Sequence, residues 1–477
     1  MIAAYIMAPI LLALAYYYDI YALVYAVFLL FFLNFYKSYN ARPSKLILLS
    51  IAVFLLIHNS WLLSLYKWVG IFSASLIYIG FTLYFCLIIY LFLWAIGLLK
   101  RLPLSCVLIP FIWVVFELAL SLGPFGYPLY SLYLTQASSP YLFLSQNIFG
   151  AEMISFLIIF VCAYSAVVFK SKNTGTQKMT QLFLIIFIFI FTLSYGAYIK
   201  KYKQVRHDRY LNLVMVQPNI KQKMKMESQH FYSNFSHYIQ LIKHVRKSEK
   251  NIDAIIFPET LIPALWETHF SKELLKQGVL DGELLIFGLP IRRSGNIYNS
   301  ILFYQDGQYK KEYRKNQLVP FGESMPIPFY ESKTQLYYKS GEGIHPVSYQ
   351  SVKYGLSICF ESAFFKVFRK LQASDIFIVL TNDDWFNSWF KELHLRTAVF
   401  RAVEFNKYLL FVTNTGKTAI ICNEGEIIET LADNKMAYMK YRVPLIVKSR
   451  HSTVYFLVNA FAVLVALISI KIILKFI

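Results

Sequence analysis

Seven apolar runs crowd the first 200 positions, at residues 2–17, 20–36, 46–65, 69–99, 104–122, 150–169 and 181–198, and an eighth stands at 454–470. A helix needs roughly 20 mostly apolar residues to cross the hydrocarbon of a bilayer, and only helices or closed barrels satisfy their backbone there. Runs of this length and number predict a multi-pass α-helical membrane domain of about eight transmembrane helices. With 57% hydrophobic and 18% aromatic residues, the whole chain is too apolar for an ordinary soluble protein. The run at 69–99 is longer than one crossing needs, which predicts tilt or a stretch along the interface. The first run has no basic leader and no evident cleavage site, so it reads as a retained span.

Charges between the runs orient them. Lys37, Arg42 and Lys45 follow the second run, Lys100 and Arg101 the fourth, Lys170, Lys172 and Lys178 the sixth, and Lys471 and Lys475 the eighth. All fall on one side if the N-terminus is cytoplasmic, as the bias of lysine and arginine toward inner loops requires. The loop 123–149 carries no charged residue, which suits the outer side, and everything between the seventh and eighth runs is then outside. Lys200, Lys201, Lys203 and Arg206 break the pattern, but they precede a large translocated segment, where the bias is weak. On this reading the net charge of +20 reflects topology and anionic lipid headgroups; no module for binding nucleic acid accompanies it. Asp19, His58, Asn59, Glu117 and Glu152 lie within or beside the runs and should face protein or water. They could line a polar vestibule beneath the uncharged loop or simply pack helix against helix.

Residues 207–447 have another texture, between a transmembrane domain at 1–206 and a closing span at 448–477. Short β-branched runs recur at 213–216, 254–257, 284–289, 300–304, 355–359, 376–380, 409–413 and 418–422. Helical stretches lie between some of them, at 230–250 and 391–406. In the second, Leu393, Ala398, Val403 and Phe405 supply an apolar face, with Arg396, Arg401 and Glu404 at polar positions. Strands and helices mixed at this density predict a layered α/β domain.

Three stretches in that domain carry chemistry-bearing residues. In Ile255-Ile256-Phe257-Pro258-Glu259-Thr260 an apolar strand ends and a carboxylate follows, where open α/β sheets place reactive groups. In Tyr313-Arg314-Lys315-Asn316-Gln317-Leu318-Val319-Pro320-Phe321-Gly322-Glu323 a lysine precedes a buried-looking turn that ends in a second carboxylate. In Tyr354-Gly355-Leu356-Ser357-Ile358-Cys359-Phe360-Glu361 a strand ends on a cysteine. Each has a plain reading as well: a surface acid, one solvated lysine among several, a small buried hydrophobe. Of the five cysteines, Cys86, Cys106 and Cys162 lie in apolar runs, and only Cys359 and Cys422 lie in the polar region. No Cys-x-x-Cys or Cys/His cluster suggests a metal or a disulfide framework.

Together the three residue types make a working set. A thiol needs a base or a nearby positive charge to attack a carbonyl, and a carboxylate whose pKa is raised toward neutrality can take its proton. An ammonium group and the backbone N–H after the nucleophile can hold the oxyanion that forms. Glutamate, lysine and cysteine thus suffice for acyl transfer, with no histidine, metal or cofactor.

The ordered set resembles the nitrilase (carbon–nitrogen hydrolase) superfamily, and more closely its membrane branch, the bacterial apolipoprotein N-acyltransferases. The similarity covers the stretch Tyr313 to Glu323, the Ile358-Cys359-Phe360-Glu361 stretch and Pro258-Glu259. It extends through Val216-Gln217-Pro218-Asn219, Thr381-Asn382-Asp383-Asp384-Trp385-Phe386, Arg401-Ala402-Val403-Glu404, Thr413-Asn414-Thr415-Gly416 and Gly126-Tyr127-Pro128.

The resemblance implies an αββα sandwich outside the cytoplasm and an inner-membrane setting with the catalytic domain on the periplasmic side. It implies Cys359 as nucleophile and acyl carrier, Glu259 as base and then acid, and Lys315 with the Phe360 N–H as oxyanion donors. Glu323 and Glu361 would support the site, and Trp385, Asn382 and Tyr127 would line the substrate pocket. The implied partners are a phospholipid acyl donor, a diacylated apolipoprotein acceptor and the membrane, with ping-pong kinetics. A membrane-anchored amidase acting on a small amide could use the same triad, though one span would anchor a hydrolase. A transporter or lipoprotein-binding scaffold with a degenerate outer domain would not need Cys359. Phe360 stands where the family usually has tyrosine, and the segments 387–394 and 323–355 are short, so acyl-chain preference is expected to differ.

Overall fold

The structure, a computed structural model, describes residues 2–449 except 39, 41, 103–104, 124, 140–149, 172–173, 203–204, 222–223, 226, 228–229, 262–264, 268–282, 321 and 325–336. The expected eighth span at 454–470 lies outside the described residues.

Each of the first seven apolar runs forms a helix: α1 (Ile2–Tyr18), α2 (Tyr21–Phe35), α3 (Lys45–His58), α4 (Tyr66–Leu99), α5 (Ser105–Leu120), α6 (Glu152–Lys170) and α7 (Gly175–Tyr202). A 3-10 turn, Asn59–Leu65, joins α3 to α4. The backbone leaves helical geometry at Gly70 (φ 79°, ψ 160°), so α4 bends there. Beyond that bend the run continues to Leu99 as one apolar helix, longer than a single crossing of the bilayer needs. α6 is the most enclosed helix, burying Ile154, Leu157, Ile158 and Tyr164 among its neighbours. Phe72, Leu83, Val115 and Phe183 point outward uncovered, an apolar surface that suits lipid and not water. This is a membrane protein.

Polar residues at one end of the bundle fasten the uncharged loop, and a mostly apolar cavity inside the bundle reaches Glu117, Tyr130 and Leu132 beneath them. Glu117 Oε1 accepts from the Trp113 indole and from the Leu132 N–H, both at 2.9 Å. Asp19 accepts from the Ser138 N–H at 2.7 Å, and Tyr130 donates to Asn59 at 2.7 Å. At the opposite end Lys37, Lys100 and Lys170 stand close enough to feel one another's charge.

Two six-stranded sheets follow. The first runs, in spatial order, β12 (Ala437–Ser449), β1 (Val205–Gln217), β2 (Ala254–Ile256), β3 (Leu284–Arg293), β4 (Asn296–Gln305) and β5 (Gln308–Arg314). The second runs β11 (Ile427–Thr430), β10 (Ala419–Ile421), β9 (Leu409–Thr413), β8 (Ile376–Thr381), β7 (Val352–Ile358) and β6 (Val347–Tyr349). β1, β2 and β3 are parallel, as are β7, β8 and β9, so both faces of each centre must be covered. Alternation does this in β1: Leu213 and Met215 enter the core between the sheets, while Val214 and Val216 pack under α8 (Phe231–Ser248). The second sheet is covered by α9 (Phe365–Lys370) and α10 (Ser388–Phe405). The result is an αββα sandwich.

The helix expected at 391–406 is α10, and its polar positions are not solvated. Arg401 is fully buried, with its guanidinium 3.0 Å from Glu404 and donating to the Tyr133 hydroxyl at 3.1 Å. Glu404 in turn accepts from the Ala151 N–H at 3.0 Å. Arg396 donates to the Tyr16 and Tyr17 carbonyls at the end of α1. The face that periodicity assigned to water is the seat of the sandwich on the membrane helices.

Candidate active site

Three strand ends converge. β2 ends at Ile256 and delivers Glu259 three residues on; β5 ends at Arg314 and delivers Lys315; β7 ends at Ile358 and delivers Cys359. The segment after β2 is sewn to β3: the Phe257 N–H donates to Ile286 O (2.8 Å), Gly288 N–H to Pro258 O (3.2 Å) and Leu261 N–H to Gly288 O (2.8 Å). Gly288 is required there, since a Cβ would stand 2.6 Å from Glu259 Cα. Lys315 is fixed through its own N–H to Asn299 O at 2.8 Å. Cys359 takes a left-handed φ of 51° and opens a short 3-10 helix, Cys359–Ala363. Its neighbour Phe360 therefore presents an N–H at a helix start, where such groups lack internal partners.

The groups form one buried network. Lys315 Nζ lies 2.8 Å from Glu323 Oε2 and 3.9 Å from Glu259 Oε1. Asn299 Nδ2 bridges the two acids, donating to Glu259 Oε1 (2.8 Å) and Glu323 Oε1 (2.7 Å). Glu259 Oε2 accepts the backbone N–H of Asn382 at 3.0 Å. Burial raises the pKa of Glu259, partly offset by Lys315 and reinforced by Glu323. Burial pulls the Lys315 ammonium down, but Glu323, Glu259 and Cys359 outweigh it and the lysine stays charged. The Cys359 thiol is pushed well up by burial and by Glu259, against the pull of Lys315. A protonated thiol beside a carboxylate of raised basicity and a fixed cation is an arrangement for transferring a proton as sulfur attacks.

Glu361, fully buried, is a hinge pin of the site. Its carboxylate accepts from the N–H groups of Ile358 (2.8 Å), Asn316 (2.7 Å) and Gln317 (3.1 Å) and from the Tyr313 hydroxyl (3.0 Å), tying the lysine loop to the cysteine loop. Glu323 closes its own turn by accepting the Val319 N–H at 2.8 Å. Asn382 is buried and its Oδ1 accepts from Asn414 at 3.0 Å, so its backbone, not its side chain, meets Glu259. Tyr127 accepts from the Trp61 indole at 3.1 Å and sets its ring 6.3 Å from that of Phe360. Trp61 also meets Phe390 (4.3 Å) and Phe386 (5.4 Å), so an aromatic floor runs from beside Cys359 into the membrane helices. The Trp385 backbone sits in the turn Asp383–Trp385 after β8; its side chain lies outside the described residues.

Sequence reasoning missed Asn299, a lone amide in an alternating strand with no motif to announce it. It also missed Lys225, buried beside the site with Nζ donating to Thr260 O at 3.1 Å. Burial lowers the Lys225 ammonium to about 7, against Glu259 and Asp384. His394, whose ring reaches the Cys359 carbonyl from α10, was likewise unmarked.

Residues 215–445 match the family model for carbon–nitrogen hydrolases, and residues 8–164 that for the N-terminal domain of apolipoprotein N-acyltransferases. The apolipoprotein N-acyltransferase of Aquifex aeolicus (strain VF5) is 28% identical over 372 residues, covering 74% of this chain and 80% of that one. That of Haemophilus ducreyi (strain 35000HP / ATCC 700724) is 30% identical over 332 residues, covering 64% and 63%. Saccharomyces cerevisiae Nit3, a member of branch 10 of the nitrilase superfamily, is 17% identical over 52% of this chain and 95% of its own, with a TM-score of 0.42.

A nitrilase-type sandwich with its reactive groups at strand ends, seated on a bundle of apolar helices, defines a membrane-borne protein of the carbon–nitrogen hydrolase superfamily. The bundle itself matches a domain specific to one branch, and the two matches stand in that branch's order. The chain belongs to the apolipoprotein N-acyltransferase family.

Proposed function

We propose that this protein moves a fatty acyl chain from a phospholipid, through a thioester on Cys359, to the α-amino group of an S-diacylglyceryl cysteine at the N-terminus of an apolipoprotein. The observation that carries the reading is buried Lys315 held between the buried Glu259 carboxylate and the partly buried Glu323 carboxylate, beside a buried thiol, at the end of the helical bundle. Glu259 takes the thiol proton as Cys359 Sγ bonds to the ester carbonyl carbon. Collapse of the adduct breaks the ester C–O bond, and Glu259 returns the proton to the departing lysophospholipid oxygen. In the second half the neutral acceptor nitrogen bonds to the thioester carbon and Glu259 takes its proton; as the C–S bond breaks, Glu259 returns that proton to sulfur and the thiol is restored. Lys315 and the Phe360 N–H hold the oxyanion in both halves. The kinetics are then ping-pong.

The surroundings fit this chemistry. The sandwich sits on the end of the bundle formed by the close of α1 and α3 and the loop before α6, opposite the lysine cluster. By the positive-inside bias the catalytic domain, residues 207–447, lies on the periplasmic side of the inner membrane, between the transmembrane domain (residues 1–206) and a closing span in 448–477. Tyr127 and Phe360, with Trp61 and Phe390 beyond them, offer the acyl chain an aromatic path from lipid. An amidase would use the same triad but has no need of a domain matched to N-acyltransferases.

Purified protein incubated with phospholipid gains the mass of one acyl group on the Cys359 peptide. Adding a diacylated lipopeptide removes it and yields the triacylated product. An unmodified Cys359, or fatty acid released to water with no transfer, overturns the reading.

A further inference from the structure

Beneath Cys359 lies a histidine for which the acyl-transfer steps have no use. His394, on α10, is 2% exposed and places Nε2 3.0 Å from the carbonyl oxygen of Cys359. Its Nδ1 lies 3.2 Å from Asp383 Oδ1, which also accepts the Thr381 hydroxyl at 2.6 Å. A carbonyl can only accept, so Nε2 carries a proton. The rest of the residue is held as firmly: its own carbonyl accepts from Thr397 Oγ1 at 2.6 Å, and Phe411 meets its ring edge-on at 5.1 Å.

The carbonyl so gripped belongs to a residue at φ 51°, a left-handed setting that is strained for a β-substituted residue and persists only where the surroundings enforce it. The Cys359 C=O and the Phe360 N–H are also the two ends of one planar trans peptide, and they point in opposite directions. Holding the oxygen down onto His394 aims the Phe360 N–H up, away from α10.

We propose that His394, oriented by Asp383, is a positioning residue: by bonding the Cys359 carbonyl it fixes the peptide plane whose N–H receives the oxyanion. The inference rests on the reading of Cys359 as the acylated nucleophile. It separates two properties of the site, because sulfur reactivity depends on the thiol and its base, whereas oxyanion binding depends on the peptide plane.

The test uses the full-length protein and two reactions of Cys359. Acylation by phospholipid passes through an oxyanion; alkylation by iodoacetamide does not. His394→Leu removes the donor, and His394→Gln keeps an N–H at about the same reach. Expected for His394→Leu is acylation slowed about 10- to 100-fold, short of the 10²–10³ seen when an oxyanion donor is deleted outright. KM for phospholipid stays within about twofold and alkylation within about threefold of wild type, and His394→Gln recovers most of the acylation rate, as expected when geometry rather than binding is lost. Asp383→Asn, which keeps the shape, slows acylation without slowing alkylation and serves if the leucine variant does not fold. Wild-type acylation in His394→Leu or Asp383→Asn, or equal losses in both reactions, overturns the inference. Cys359→Ala separates it from its parent: transfer surviving there sinks the acyl-thioester reading, whereas a dead Cys359→Ala beside a normal His394→Leu sinks only the role of His394.

Discussion

Gly288→Ala tests how tightly the fold dictates the place of the proposed base. Gly288 lies in mid-strand β3, paired to Ile301 of β4, and its own N–H and carbonyl bond to Pro258 and Leu261 on either side of Glu259. An added Cβ would stand 2.6 Å from Glu259 Cα, 2.8 Å from Thr260 N and 3.2 Å from Glu259 C. Carbon atoms rest at about 3.5–4.0 Å, so one backbone must retreat by about 1 Å. At Gly288 the strand is held by β4 on one side and meets only the Glu259 segment on the other, where β2 has already ended, so that segment is the freer of the two. A displacement of 1 Å at a catalytic group costs on the order of 100-fold in rate, and overpacking a core about 1–3 kcal/mol. The expected result is thioester formation on Cys359 slowed about 100-fold with a melting temperature lower by several degrees. Gly322→Ala is the contrast, since its Cβ would meet Val319 Cγ1 at 3.5 Å, an ordinary contact, and should keep the rate within about threefold. Near-normal thioester formation in Gly288→Ala would refute the claim that this close approach fixes Glu259.

Three further outcomes are expected. Glu361→Gln turns an amide NH2 toward donors that a carboxylate accepts, and should cost about 2–4 kcal/mol, read as a fall in melting temperature with the lysine and cysteine loops exchanging amide hydrogens faster. Burial raises Glu259, and the base form is the one without the proton, so acylation falls as pH drops through a value above the ordinary carboxylate range. A raised folded pKa contributes stability that is present at low pH and lost as pH rises through the folded value; Glu259→Gln therefore melts no lower than wild type at pH 8 while acylation collapses. A rate limb at ordinary carboxylate pH would count against Glu259. Arg396→Met removes the guanidinium that caps the Tyr16 and Tyr17 carbonyls, worth about 1–2 kcal/mol at a helix C-terminus, and should quicken hydrogen exchange at the end of α1 while β7 and β8 stay protected.

The strand runs legible in the sequence are those buried on both faces. Residues 254–257, 355–359, 376–380 and 409–413 became β2, β7, β8 and β9, because parallel central strands must be apolar throughout. Glu259 and Cys359 stood out for a related reason: each follows such a strand end, where the chain changes from apolar to polar within one to three residues, whereas Lys315 follows a polar strand and stood out by the apolar Leu318-Val319-Pro320-Phe321 run after it. The unread strands are mostly edges. β5 is Gln-Tyr-Lys-Lys-Glu-Tyr-Arg and β12 carries Pro444 and alternating charges, both devices that keep a sheet edge from pairing further. Within the site, Asn299, Gly288 and the Asn382 N–H act through single hydrogen bonds or bare space, which leave no periodic mark.

α10 shows why one domain's sequence could not tell the whole. Trp389 meets Tyr17 at 4.4 Å and His58 at 5.3 Å, and Arg396, two turns on, caps the end of α1. His394 reaches the Cys359 carbonyl, and Arg401, again two turns on, reaches Tyr133. A seven-residue spacing repeats a helix face to within about 20°, so each pair is a stripe, one toward the bundle and one running from the site into the junction. In a free sandwich the first stripe would be solvated, as its polarity implies. Here Arg396 bonds carbonyls at the end of α1 and Arg401, in the second stripe, bonds the Tyr133 hydroxyl, so much of the desolvation of the two guanidinium groups is met by hydrogen bonds and the face becomes a dock without becoming apolar. The Cys359 carbonyl and the end of α1 are therefore held by one helix, and a shift of the sandwich on its seat is a shift of His394 under Cys359.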